Sequence, residues 1–304
     1  MRHKFFSRTL TVILTLGMLF ATPAHAEGET AARGLDNTIA IGGRISAFID
    51  ENGGLWTWGT NYFGQVGNGG GGDYTDASGV AYQKAPVKIL DNVKTVAISV
   101  YDRAAAVTQD GGLWVWGYND SKMLGMGDSA PTYTYNGMPI QASPVKILDG
   151  VVDVTMGSPM SAALKEDGSL WMWGLNRDGV LGNDSISDGK SVNGTPVQST
   201  PVKVMDGVAA VSCGTWHTAV IKTDGSLWVW GSNRDGQLGI GEGGSKVTDS
   251  GDPYQDVPTK VMDDVVAVSC GSAHTAAIKS DGSVWTWGKN SGGLGTGEDR
   301  KSVV

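Results

Sequence analysis

Cysteine, histidine and positive charge are what this sequence has least of, and each shortage closes off a class of function. Two cysteines, Cys213 and Cys270, in 304 residues cannot build a disulfide-stapled miniature domain. Of four histidines, His3 and His25 fall in a segment expected to be removed. His217 and His274 are then all that is left for a histidine-based catalytic or metal centre. Lys and Arg number 23 against 31 Asp and Glu, a net charge of −8. Removing the segment Met1 to Ala26 takes away Arg2, Lys4 and Arg8 and no acid, which moves the charge to −11. Such a chain lacks the basic surface that nucleic-acid backbones demand, so no nucleic-acid partner is expected. Nor does any later stretch stay apolar for the ~18 residues of a membrane-spanning helix.

What the segment Met1 to Ala26 does contain is a secretory leader. Arg2, Lys4 and Arg8 form a positive start, Leu10 to Phe20 a short apolar run, and Ala24-His25-Ala26 a small-x-small site. Cleavage is expected before Glu27, followed by a short linker over 27–35 and one repeat domain over 36–304. The expected location is secreted or periplasmic, in a bacterium, with no membrane contact once the leader is gone.

Glycine and tryptophan are abundant instead, at 46 and 11 residues. Trp-x-Trp-Gly occurs five times, its second ring at Trp58, Trp116, Trp173, Trp230 and Trp287, so the repeat has a near-constant period. With Trp56, Trp114, Trp171, Trp228 and Trp285 these pairs hold ten of the eleven tryptophans; only Trp216 stands outside. Side chains alternate along a strand, so both rings of a pair share one face. The residue between them is Thr57, Val115, Met172, Val229 or Thr286, which suits a strand covered on both sides. One burial removes 150–250 Å² per ring, so roughly 4–6 kcal/mol as an upper bound. A single unit cannot cover its own pair; a neighbouring unit can.

Unit four shows the internal order. Pro201–Val204 and Val208–Cys213 read as its first two strands, Thr218–Lys222 as the third, and Leu227–Trp230 as the fourth. Asp224-Gly225 between the last two is a hairpin signal, recurring at Asp110-Gly111, Asp167-Gly168 and Asp281-Gly282, with Asn52-Gly53 in unit one. Such a turn is expected to hold positive φ at both central positions. Four short strands per unit, repeated with glycine-rich turns, describe an all-β protein: a β-propeller of about five four-stranded blades.

The segments VSCGTWHTAVIKTDGSLWVWGSNRDGQLG and VSCGSAHTAAIKSDGSVWTWGKNSGGLGTG closely resemble the repeat of the regulator-of-chromosome-condensation, or RCC1-type, family. The resemblance covers about residues 36–304 and implies a propeller whose ring usually has seven blades. Five units fall short of that, so an open or incomplete ring is expected. The chain is read as truncated after Val304, with Trp285 and Trp287 the most exposed pair, and unit one as missing the strand before Leu35. The family is best known for nucleotide exchange on a small nuclear GTPase and for chromatin binding. Neither carries over to an acidic, exported chain. A secreted bacterial propeller of this repeat type that inhibits β-lactamases is similar in fold and export, but no inhibitory residue matches.

Candidate chemistry is sparse. Cys213 with His217 and Cys270 with His274 could in principle hold zinc. However, the matching positions are Met156 and Met160 in unit three, Ser99 and Arg103 in unit two, and Ile41 and Ile45 in unit one. A slot that accepts all of these is core, so no metal is expected. A Cys213–Cys270 disulfide would need neighbouring blades within about 7 Å. Asp184 to Gly189 lacks the ligands of a calcium loop, and Gly69 to Gly72 follows no phosphate-binding pattern. No cofactor and no catalytic residue is expected.

The variable part lies in insertions over about 68–85, 127–143, 183–200 and 240–257, at one point of every unit, so the loops share one face. Tyr74, Tyr82, Tyr133, Tyr135 and Tyr254 lie there, with Met138 and Pro139. Tyrosine and glycine on loops of a rigid scaffold make a partner-binding surface for an extracellular or cell-surface protein or a glycan. The reading is a secreted non-enzymatic scaffold. One alternative is a carbohydrate-binding or cell-wall-active enzyme module using acids such as Asp184, Asp188, Asp249 and Asp252, which would need two carboxylates about 5–9.5 Å apart. The other is a structural repeat module of a larger surface protein.

Overall fold

A computed structural model describes residues 38–294 apart from 130–132, 136, 185–186, 192, 242 and 291–293, and only the backbone of 133–135. The leader, the linker and the segment 295–304 lie outside the described residues.

Five antiparallel sheets follow one another along the chain. The first holds β1 (Ile39–Gly42), β2 (Ile45–Ile49), β3 (Leu55–Thr60), β4 (Tyr74–Thr75) and β5 (Ala81–Leu90), in the order β1-β2-β3-β5-β4. The second repeats it with β6 (Val93–Ile98), β7 (Arg103–Thr108), β8 (Leu113–Tyr118), β9 (Tyr133–Tyr135) and β10 (Met138–Leu148). The third has β11 (Val151–Met156), β12 (Met160–Lys165), β13 (Leu170–Leu175), β14 (Gly189–Lys190) and β15 (Pro196–Met205). The fourth has β16 (Val208–Cys213), β17 (His217–Lys222), β18 (Leu227–Ser232), β19 (Lys246–Val247) and β20 (Pro253–Met262). The fifth shows β21 (Val265–Cys270), β22 (His274–Lys279) and β23 (Val284–Gly288) among the described residues. First strands of successive sheets touch, which places them nearest the axis of a β-propeller. Helix among the described residues is confined to two single 3-10 turns, Asp120–Lys122 and Arg177–Gly179.

The blades are cut differently from the sequence unit. The Pro-Val-Lys strand does not open a blade; it closes the one before. In β15, Val202 and Lys203 pair with Met172 and Trp171 of the third sheet, not with the fourth. Blade one therefore lacks no strand: β5 completes it. Each Pro-Val strand starts with a short hairpin, so the insertions add a fifth, two- or three-residue strand at the outer edge. Pro86, Pro144, Pro201 and Pro258 stand at or beside the register shift where β5, β10, β15 and β20 bulge away from the Trp strand. A residue with no N–H fits there because it breaks no ladder bond.

The Asp-Gly turns also differ in detail. Only the glycines take positive φ, +80° at Gly111, +76° at Gly168, +79° at Gly225 and +82° at Gly282. The aspartate instead caps the turn: Asp224 accepts from the Ser226 N–H at 2.9 Å and its hydroxyl at 2.5 Å. These hydrogen bonds, with the Ser hydroxyl first, hold the Asp167, Asp224 and Asp281 carboxyls below the usual range.

Four apolar cores fill the four seams between successive sheets. Each second tryptophan from Trp116 onward reaches backward into the glycine-rich loop of the preceding blade. Trp116 Nε1 donates to Gln65 O at 2.9 Å, Trp230 Nε1 to Val180 O at 2.8 Å, and Trp287 Nε1 to Gln237 O at 2.9 Å. A Cβ built on Gly182 would lie 2.7 Å from the Trp230 ring, so only glycine admits the ring. The intervening Val115, Met172 and Val229 face forward into the next seam and are buried. This polarity reverses one expectation. Trp287 is 2% exposed, whereas Trp58, with no described blade before it, is half-buried. Its ring meets Phe48 edge-on at 6.0 Å, Phe48 in turn stacks on Trp56, and the same face carries Ile39 and Ile41, 70% and 79% exposed.

Candidate functional site

Antiparallel order gives the propeller two unlike faces. One collects the Asp-Gly turns and the turns that lead from each outer strand to the next blade. There the main chain staples the blades together: Val93, Val151, Val208 and Val265 N–H donate to Gly53, Gly111, Gly168 and Gly225 carbonyls at 2.8–2.9 Å. Lys146, Lys203 and Lys260 pair with Asp149, Asp206 and Asp263 at 2.5, 2.6 and 2.7 Å, and Lys88 pairs with Asp91. The first tryptophan of each pair belongs here, Trp171, Trp228 and Trp285 donating to Ser169, Ser226 and Ser283 hydroxyls at 2.9–3.0 Å, and Trp56 to Asp50 at 2.7 Å. The staples and the Lys–Asp pairs recur at all four blade junctions, and the indole–serine bond in blades three to five, so this face is architecture.

The other face collects the outer hairpins and the turns between first and second strands. Its main-chain bonds recur, Thr60, Tyr118, Leu175, Ser232 and Lys289 N–H donating to Arg44, Asp102, Pro159, Trp216 and Ala273 carbonyls, but its exposed side chains differ from blade to blade. Tyr74 and Tyr82 pair across β4 and β5 with ring centroids 6.2 Å apart. Tyr74 is exposed and has Lys84 Nζ over its ring at 3.2 Å. The Tyr82 hydroxyl donates to Asp76 at 3.2 Å, and burial raises its pKa above the ordinary phenol value. Tyr133 and Tyr135 pair with Ile140 and Met138; their side chains lie outside the described set. Tyr254, half-buried, pairs with Ser232 and Lys246. The structure thus places all five on one face, spread over three blades, and brings only Tyr74 and Tyr82 into contact among the described side chains.

Three acids considered for catalysis have local partners. Asp188 accepts from Ser199 N–H and hydroxyl, both at 2.8 Å, Asp184 sits 3.4 Å from Lys246, and Asp252 lies 3.5 Å from Arg234. Among the described residues no group of three or more His, Cys, Asp or Glu could hold a metal. Cys213 and Cys270 are free and serve different seams. Ser212 Oγ accepts the Cys270 N–H at 2.9 Å, so Cys213, next along the strand, projects away from Cys270. Burial pushes the Cys270 thiol up to about 12 and His217 down to about 3. Both stay neutral near pH 7, the state expected of packing rather than chemistry.

Other side chains of this face are marked in the sequence only by departing from the repeat. Tyr62, Phe63 and Tyr118 stack with centroids 4.2 and 4.6 Å apart, where other blades have Asp, Arg, Ser or Gly at the first two positions. Trp216 has Arg177 over its ring at 5.1 Å. In blade two the turn after β6 is one residue longer than its counterparts: Ile98 pairs with Ala104, but Met156 with Ser161, Cys213 with Thr218, and Cys270 with Thr275. Ile98, not Ser99, therefore corresponds to Cys213, and Val100 and Tyr101 stand out into solvent.

The RCC1-like domain model matches residues 16–304. The chain belongs to the RCC1-like domain family. Its similarity to the mitochondrial RCC1 domain-containing protein RUG3 of Arabidopsis thaliana is 30% identity over 260 residues, 82% of this chain and 53% of the relative. The ultraviolet-B receptor UVR8 of the same plant is 29% identical over 249 residues, 81% of this chain and 51% of the receptor. The RCC1-like chain thus spans about half the length of these two relatives. Yeast RCC1 (Prp20), solved bound to Kap60, superposes with a TM-score of 0.63 at 20% identity, covering 88% of this chain and 73% of that one. Human WBSCR16 gives 0.61 at 22%, over 83% and 63%. At such identities the structures establish the fold alone.

Proposed function

We propose that this RCC1-like chain is an exported, non-enzymatic binding module that takes a protein partner on its hairpin face. The observation that carries this reading is the contrast between the faces. The Asp-Gly face repeats its ion pairs and staples in blade after blade. The hairpin face varies, and it holds Tyr74, Val100, Tyr101 and Val247, all exposed. Variation on a rigid scaffold is how one fold serves many partners. A solved relative of the fold, yeast Prp20, was crystallised with a protein, Kap60. Export rests on the leader alone, since the relatives named above are eukaryotic.

Oriented capture tests the reading. Immobilised through a cysteine introduced as Asp281→Cys on the Asp-Gly face, the chain is expected to capture its partner from culture medium. Immobilised through Ser250→Cys on the hairpin face it is expected to lose most of that capture. The opposite pattern would move the site to the other face. Export is tested by N-terminal sequencing of the mature protein, expected to start at Glu27.

A further inference from the structure

Two features of blade two belong together. One is the lengthened turn, with Val100 and Tyr101 at 66% and 52% exposure, where blades three to five place Ser158-Pro159, Thr215-Trp216 and Ser272-Ala273. The other is Arg103, fully buried directly after that turn with no carboxylate partner among the described residues, at the position of Met160, His217 and His274. A buried guanidinium without a counter-charge has a heavy desolvation cost.

The seam is rebuilt around it. In other seams the glycine-loop carbonyl takes the Trp indole N–H, from Trp230 to Val180 O and from Trp287 to Gln237 O. Here the matching carbonyl, Met123 O, takes Arg103 Nη1 at 3.2 Å, and the buried Trp173 Nε1 is left without an acceptor. Arg103 Nη2 binds Ser158 O at 2.6 Å, Gly157 O at 3.1 Å and Ser99 Oγ at 3.3 Å. Ser99 Oγ in turn accepts the Tyr101 N–H at 3.2 Å. On the other side, the buried Asp102 has a left-handed backbone, φ +55°, and accepts from Gln65 Nε2 of blade one at 3.2 Å. The turn is thus clamped from blade one and from blade three at once. The fold does not require this, because the other blades close the same position with a shorter turn.

We infer that Val100 and Tyr101 form a pre-organised apolar knob at the axial end of the hairpin face, which inserts into a pocket of a protein partner, and that Arg103 and Asp102 are there to hold it rigid. This rests on the hairpin-face reading and sharpens it, moving the anchor from the outer tyrosines to the centre. The partner class follows from chemistry. Val100, the more exposed of the two, presents only apolar surface, which gains nothing against a sugar hydroxyl or a phosphate, and the chain is acidic. A rigid Val-Tyr pair fits the apolar centre of a protein interface, with Arg44 exposed on the neighbouring turn of blade one as a polar surround.

The test uses a phage-displayed library of random dodecamer peptides panned on the full chain. Enriched peptides are expected to be rich in apolar residues and to lose at least tenfold in affinity for the Val100→Ser, Tyr101→Ala double variant, with the melting temperature unchanged. Arg103→Met, which copies Met160 of blade three, is expected to weaken the same peptides severalfold while Val100 and Tyr101 remain. Peptides that bind the double variant as well as the parent but fail on Tyr74→Ala would overturn the knob and leave the hairpin face standing. Peptides that map to the Asp-Gly turns would overturn both. Failure to enrich any peptide also counts against the knob.

Discussion

Trp58 and Trp287 hold the same place in their repeat units, yet their surroundings are opposite. Trp287 lies in a seam, its indole N–H on Gln237 O and its ring against Gly239. Trp58 faces outward with Phe48 and Trp56, beside Ile39 and Ile41. The two rings are chemically identical and on equivalent strands. What differs is whether a described blade precedes them. Covering in this propeller therefore runs one way, each blade completing the one before it, and burial is a property of the seam rather than of the residue.

Substitution breaks this comparison most visibly at the rings. Trp173→Ala is expected to lose roughly 3–5 kcal/mol, as other large core truncations do. Trp58→Ala is expected to lose about 1–2 kcal/mol, in line with partial burial. Denaturant titration measures both, and equal losses would mean that something covers Trp58 as fully as blade two covers Trp173. The next effect is at the glycines that receive the rings. Gly182→Ala, with φ +67° and Trp230 against it, is expected to cost about 2–4 kcal/mol from left-handed strain plus overpacking. Gly236→Ala has φ +77° and open space around its Cβ, leaving about 1–2 kcal/mol from backbone strain alone.

The boundary between blades could not be read from the repeat, and the reason is physical. A regular period says that a unit recurs but not where to cut it, because cutting depends on which strand donates hydrogen bonds to which. Alternation put both rings of Trp228 and Trp230 on one face, but cannot say whether that face looks to the blade before or after. Insertion points made the hairpin face legible, and with it the side on which Tyr74, Tyr82 and Tyr254 lie. The knob at Val100 and Tyr101 was not: Trp58 to Trp116 spans one residue more than the other Trp spacings, but that the extra residue lies between Ile98 and Ala104 shows only once the register is known.

A smaller effect concerns Asp153 on β11, where the first strands of blades two, four and five have Thr95, Ala210 and Ala267. Burial raises its carboxyl to about 6, partly offset by the Val154 N–H and Lys94. The unfolded value is about 3.9, so folding favours the protonated form. The stability this acid contributes is present below about pH 4 and is lost as pH rises through 6. Asp153→Asn is then expected to gain about 1–2 kcal/mol at pH 8 and nothing at pH 4, read from thermal melts at the two pH values. Smallest of all, Tyr74→Ala on the hairpin face is expected to leave the melting temperature within about two degrees, as exposed substitutions do.

The backward reach of the indoles also sets a tempo. Trp116 to Gln65 spans 51 residues, and Trp230 to Val180 and Trp287 to Gln237 span 50 each. Closing a loop of that length costs about 3.5 kcal/mol in chain entropy, close to what one buried indole returns. No seam is then much easier to form than another, and none has to wait for a distant part of the chain. A polypeptide threaded from its N-terminus through a pore would leave each glycine loop open for about fifty residues and close it when the next tryptophan emerges. Folding would trail emergence by one blade throughout, with one fresh apolar face showing at any moment. Apart from the blade-one face that carries Trp58, a chaperone then has one moving edge to shield.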